Sequence, residues 1–108
     1  MDNYGEPVLD KNNNLIGYKL FNNQYVSIKT YYNNDNLLCN KVSVRDFDEN
    51  KLSFKPYILR EWIDTKTDTG FIREYNKNKY YYDINNNLIN VESIFTYSSF
   101  LLVKKQIN

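Results

Sequence analysis

The chain is predicted to be all-β, a single domain over residues 1–108 built as an antiparallel meander that closes as a small barrel or sandwich. Three observations predict this. Helix formers are scarce and Ala is absent, while Val, Ile, Phe, Tyr and Thr fill the apolar positions and suit a pleated, half-buried surface. In residues 25–31, Val26, Ile28 and Thr30 alternate with Tyr25, Ser27, Lys29 and Tyr31, the period of a strand with one buried face. A turn signature also recurs: Asp10-Lys-Asn-Asn-Asn-Leu-Ile16 returns as Asp83-Ile-Asn-Asn-Asn-Leu-Ile89. Looser relatives run over residues 32–37 and 47–52. Asn and Asp tolerate positive φ and bond their own backbone two residues on, so they close hairpins without glycine.

Between these turns, strands are expected at residues 7–9, 15–21, 25–32, 37–46, 51–54, 57–63, 70–75, 79–83 and 88–97. The tail reads two ways. Val91, Ile94, Phe95, Leu101 and Leu102 fit the stripe of a short C-terminal helix capped by Asn90, whereas Thr, Tyr, Phe and Val favour a strand. The spaced aromatic-Asp-x-x-Asn-Leu turns resemble those of MORN-type and YD-type hairpin repeats. That resemblance covers the turns alone, because the regular glycines of such repeats are missing from a chain with 3 Gly.

Residues 57–82 organise the rest, since they hold the only Trp and most of the clustered aromatic side chains. Folding this stretch about Thr67 sets Glu61 opposite Arg73, Arg60 opposite Glu74, Trp62 opposite Ile72 and Ile63 opposite Phe71. Two charge pairs and two apolar pairs from one register are the kind of contact that stabilises a sheet. One side of that hairpin would carry Tyr57, Leu59, Ile63, Phe71, Tyr75, Tyr80 and Tyr82 and face the core. The other would carry Arg60, Trp62, Glu74, Tyr81 and Asp83, which are the candidate partner-binding residues. Trp, Tyr and Arg are the residue types that anchor interfaces. Trp62 also reads as a core residue covered from both sides, and that reading is the slightly favoured one.

Composition narrows the chemistry. Net charge is +1 and evenly spread, with 6 basic and 7 acidic groups in residues 1–54 and 8 and 6 in residues 55–108. Nothing concentrates the positive charge that duplex binding requires. No apolar run reaches the length of a membrane span and the first residues do not begin a signal peptide, so no membrane partner is expected. One Cys, and 18 Asn without an Asn-x-Ser/Thr sequon, lean towards a cytoplasmic protein. The Asn, Lys, Ile and Tyr richness matches the codon bias of an AT-rich genome.

With no His, the commonest general base and metal ligand is missing, and no catalytic residue, metal site or cofactor is expected. Cys39 follows Leu37 and Leu38 in a strand and reads as a buried inert thiol. Asp46, Asp48 and Glu49, or Asp64 with Asp68, could serve a carboxylate-dependent hydrolase, but they fall at expected turns where acids are common for backbone reasons. The expectation is therefore a non-enzymatic protein that occludes a protein partner, in the manner of an immunity protein, an antitoxin or a phage-encoded inhibitor. The alternative is an OB-like binder of single-stranded nucleic acid. It would stack bases on Trp62, Tyr80, Tyr81 and Tyr82, with Arg60, Arg73, Lys77 and Lys79 near the backbone.

Overall fold

In the computed structural model of the chain, residues 4–93 are described and form ten strands with no helix. These are β1 (Glu6–Leu9), β2 (Leu15–Lys19), β3 (Tyr25–Tyr32), β4 (Leu38–Arg45), β5 (Phe47–Asp48), β6 (Ser53–Phe54), β7 (Arg60–Thr67), β8 (Gly70–Tyr75), β9 (Asn78–Asp83) and β10 (Leu88–Ser93). Eight of them make one antiparallel sheet in the order β1-β2-β3-β4-β7-β8-β9-β10. β5 and β6 pair separately as a small hairpin inserted between β4 and β7. Among the described residues the main sheet stays open, with β1 and β10 as its edges, so the meander is confirmed and the closed barrel is not. No helix is long and apolar enough to cross a membrane among the described residues.

Turn chemistry sets the strand boundaries. At Asp10, the N–H donates to Asn14 O at 2.9 Å, and the carboxylate accepts the N–H groups of Asn12 and Asn14. Asp83 repeats this with Asn85 and Asn87, and Asn33 repeats it with Asp35 and Leu37. Each of these loops places an Asn at positive φ: Asn13 at 65°, Asn36 at 65° and Asn86 at 67°. Asn pays little for that conformation because its side chain is short and polar. The β8–β9 turn uses Asn76 and Lys77, both at positive φ, which matches the twist of the flanking strands.

Packing concentrates at the centre. β4 lies between β3 and β7, and Val42 and Val44 on it join Val26 of β3 as the buried core, flanked by Tyr18, Ile28 and Trp62. Opposed residues share a face, so the rows Val26–Val44–Arg60 and Ile28–Val42–Trp62 define one side, here the Trp62 face. The opposite face near β2 and β3 is covered by the small hairpin. Phe47 stacks on Tyr25 at 5.0 Å, Phe54 meets Phe47 edge-on, and Arg45 reaches the carbonyl of Pro56.

The central hairpin departs from expectation. Its turn is Asp68-Thr69, not Thr67, and the register runs Thr67↔Gly70, Thr65↔Ile72, Asp64↔Arg73 and Ile63↔Glu74. Glu61 is therefore not opposite Arg73, nor Arg60 opposite Glu74. The shift is three residues, an odd number, which moves Trp62 to the other side of the sheet relative to β8. The physical reason is that Gly70 takes φ +154°, and a Cβ there would sit 2.0 Å from Tyr82 O, so the glycine position fixes the turn. Charge pairs worth well under about 1 kcal/mol each cannot override that. Two further corrections follow. The strand expected at 57–63 begins only at Arg60, leaving Tyr57 and Leu59 exposed after Pro56. Val91 of the helical stripe lies in β10, while Ile94, Phe95, Leu101 and Leu102 fall outside the described residues.

Candidate binding face around Arg73

Register brings Asp64 and Arg73 together in the middle of the Trp62 face, in the row Thr30–Asn40–Asp64–Arg73–Tyr80. Asp64 is fully buried. Arg73 donates to it twice, Nε to Oδ1 at 2.8 Å and Nη2 to Oδ2 at 2.9 Å. Tyr4, from the segment before β1, donates its hydroxyl to Oδ2 at 2.7 Å. Three donors thus satisfy a carboxylate whose isolated burial would cost several kcal/mol. Burial, followed by the Asp64 charge and hydrogen bond, raises the Tyr4 hydroxyl above its usual range. Burial alone would lower the Arg73 pKa, but the hydrogen bond and charge of Asp64 outweigh it and the net shift is upward.

Aromatic rings fix the guanidinium from the other sides. Its carbon lies 4.9 Å from the Trp62 ring centre, 5.6 Å from Phe71 and 5.8 Å from Tyr82. Phe71 and Tyr82 are themselves stacked at 4.7 Å, and Trp62 meets Tyr75 edge-on at 6.4 Å. Such cation–ring contacts contribute on the order of 0.5–2 kcal/mol each as desolvation increases. Trp62 Nε1 is buried with no acceptor among the described residues. The face continues to β10 through the rows Arg73–Tyr80–Val91 and Phe71–Tyr82–Leu88, where Leu88 and Val91 are half exposed.

The five residues expected to form one patch are divided. Arg60 and Trp62 lie on this face, with Arg60 Nη2 donating to Gln24 Oε1 at 2.9 Å. Glu74 and Tyr81 lie on the opposite face, the first between Ile63 and Lys79, the second donating to Glu92 Oε1 at 2.8 Å. That hydrogen bond raises the Tyr81 pKa. Asp83 closes the β9–β10 turn with its carboxylate, and two backbone N–H groups hold its pKa below the usual value. Alternation also separates Tyr80 and Tyr82 from Tyr81, so the three tyrosines do not form one stacking platform.

Cys39, Asp48 and Asp64 among the remaining chemical candidates have structural partners. Cys39 is buried, its Sγ 3.3 Å from Thr65 Oγ1. Asp48 accepts the N–H groups of Asn50 and Lys51 in the small hairpin. Asp64 is in the interior of β7 rather than at a turn, and its lone pairs are occupied by Arg73 and Tyr4. No cluster of His, Cys, Asp and Glu suited to a metal ion occurs among the described residues. Sequence reasoning missed Asp64, Arg73, Phe71, Tyr82 and Tyr4 as parts of one site. The Asp68-Thr69-Gly70 turn was the signal that would have aligned the first four. Nothing in the sequence points Tyr4 at a residue sixty positions away.

No family model, curated protein or solved structure matches this chain.

Proposed function

We propose that the chain is a non-enzymatic binding protein that occludes a site on a protein partner, as immunity proteins, antitoxins and small inhibitors do. The observation that carries this reading is the locked guanidinium. Arg73 is held by two hydrogen bonds to a buried carboxylate and by three rings, so it and its aromatic surround present contact area that is already ordered. Binding then loses little side-chain entropy, and that cost is what usually consumes interface energy. Arg, Trp and Tyr on a rigid sheet are also the types that dominate measured interface energetics.

The partner surface that fits is itself largely apolar with an acceptor near its centre. The half-exposed Leu88 and Val91 extend the aromatic surface, while the outward edge of the guanidinium offers hydrogen-bond donors.

Tyr80→Ala on the Trp62 face and Tyr81→Ala on the opposite face make the test. A protein captured stoichiometrically by the wild type should lose affinity at least tenfold with Tyr80→Ala and be retained by Tyr81→Ala, both variants melting near the wild type. Equal effects of the two variants would contradict the assignment of the face. Tight binding of a single-stranded oligonucleotide at physiological salt, in place of a protein, would contradict the function.

A further inference from the structure

We infer that the Trp62 face has a second contact point, a cavity of about 210 Å³ beside β3 that receives a tyrosine side chain of the protein partner. The inference rests on the proposed function and says what the partner presents to this face. The cavity comes from a splay in the sheet. β3 pairs with β4 over eight positions but with β2 over three, from Gly17↔Ser27 to Lys19↔Tyr25. Pairing stops at Gly17, so Leu15 and Ile16 at the start of β2 stand off from Ile28 and Thr30 of β3, and all four line the gap. Tyr4 joins the lining from the segment before β1, its ring 5.7 Å from that of Tyr18.

Size and polarity select the occupant. The volume exceeds the roughly 150 Å³ of an apolar cavity that holds benzene and falls short of the roughly 300 Å³ of a site for a drug-sized ligand. One six-membered ring with a short substituent fits. No charged residue lines the cavity among the described residues, so an ionised group would lose its water without a counter-charge. Thr30 and Asn40, opposed on β3 and β4, make the polar end. Thr30 Oγ1 donates to Asn40 Oδ1 at 2.7 Å, Asn40 hydrogen-bonds the Tyr4 hydroxyl, and that hydroxyl donates to Asp64. The Thr30 and Tyr4 protons are thus committed, while the Thr30 oxygen keeps lone pairs for an incoming donor. A ring that brings its own hydroxyl proton matches this end, which favours tyrosine over phenylalanine.

The cavity is continuous with the Arg73 cluster. Tyr4 serves both, with its ring in the cavity lining and its hydroxyl on Asp64. Asn40, Asp64 and Arg73 are opposed on successive strands, which sets Asn40 and Arg73 about 10 Å apart at the usual strand spacing. A tyrosine seated in the cavity therefore lies about three residues of extended chain from an acceptor placed at the guanidinium. Leu15 and Thr30 are exposed, so the rim of the cavity is at the surface, while Asn40 is buried below it. An aromatic anchor filling a pocket beside an arginine is the arrangement that concentrates binding energy in few residues.

Titration of the isotope-labelled full chain with N-acetyl-tyrosinamide, followed by NMR, tests this. The probe is a neutral tyrosine residue, and it should give saturable shifts centred on Ile16, Ile28, Thr30 and Asn40. N-acetyl-phenylalaninamide, which lacks the hydroxyl, should bind about fivefold more weakly, the effect of one hydrogen bond. Thr30→Val should make the two probes equal, and should that variant fail to fold, the comparison on the wild type decides alone. No saturable shift, shifts centred elsewhere, or equal binding of the two probes by the wild type would overturn the inference. Binding of p-cresol with exclusion of N-acetyl-tyrosinamide would also overturn it, since that marks a site for a free phenol and not for a side chain. The capture test stays separate. Capture that Tyr80→Ala weakens, alongside no probe binding, removes the cavity and leaves the face in place, whereas probe binding by a chain that captures no protein overturns the reading beneath it.

Discussion

Strands β4 and β10 are close in length and opposite in every other respect. β4 has neighbours on both sides, and its residues from Cys39 to Val44 are buried except Lys41, on both faces of the sheet. β10 has one neighbour among the described residues and no buried position. The difference shows that two kinds of interaction hold one sheet. Around β4, burial of Val26, Val42 and Val44 provides stability in proportion to apolar area removed from water, about 1.5–3 kcal/mol for each such side chain. From β7 onward, the Asp64–Arg73 pair and the rings around it take over, while Asn and Asp turns close hairpins in both halves. Packing of Val26, Val42 and Val44 holds the first half, and a buried charge pair with its aromatic surround holds the second.

Removing the charge partner should break this division most severely. Arg73→Ala leaves Asp64 buried with only the Tyr4 hydroxyl, and a loss of about 3–5 kcal/mol is expected in denaturant unfolding. Val42→Ala in the core should cost about 2 kcal/mol, the transfer of two methyl-sized groups plus part of a cavity. Asn86→Val forces a β-branched residue to φ 67° and should cost about 1–2 kcal/mol, although its side chain is exposed. Leu88→Ser on β10 should change stability by less than about 0.5 kcal/mol, as exposed positions do. If Leu88→Ser proved as costly as Val42→Ala, the contrast between the two halves would be wrong.

pH sharpens the same contrast. The turn carboxylates Asp10, Asp48 and Asp83 have folded pKa values below the ordinary 3.8, because backbone N–H groups bind the charged form. Their contribution is present above the ordinary value and is lost as pH falls through the lower folded one. Thermal melts should therefore lose stability below about pH 4, and the loss should shrink when Asp83→Asn removes one of the three groups. Tyr4 runs the other way. Its folded pKa lies above 10.0, so its contribution is complete below pH 10 and declines as pH rises further. Tyr4→Phe should flatten that alkaline decline.

Much of the fold was legible because its turns are local. Asp10 and Asp83 bond groups two to four residues away, so the heptapeptides announced their hairpins, and strand existence followed from alternation. Register was not legible in the same way. Glu61, Arg60, Arg73 and Glu74 offered a consistent set of opposite charges in a register three residues from the true one, and surface pairs are too weak to choose. The site inherited that error, because an odd shift exchanges faces: Trp62 moved to the side of Phe71, Tyr75, Tyr80 and Tyr82, while Glu74 and Tyr81 moved away from it. Tyr4 meets Asp64 across sixty positions of chain, a contact that no local pattern announces.

The account rests on Arg73 being held by Asp64, and a pair of double-mutant cycles in stability tests that most directly. Asp64→Asn with Arg73→Gln, measured singly and together, should give a coupling of about 1.5–3 kcal/mol, as charge-assisted bidentate pairs do. Glu61→Gln with Arg73→Gln should give a coupling near zero, since Glu61 is engaged by Ser43 and Lys41 on the opposite face. Strong coupling of Arg73 to Glu61 and none to Asp64 would contradict the register, the face and the function built on them.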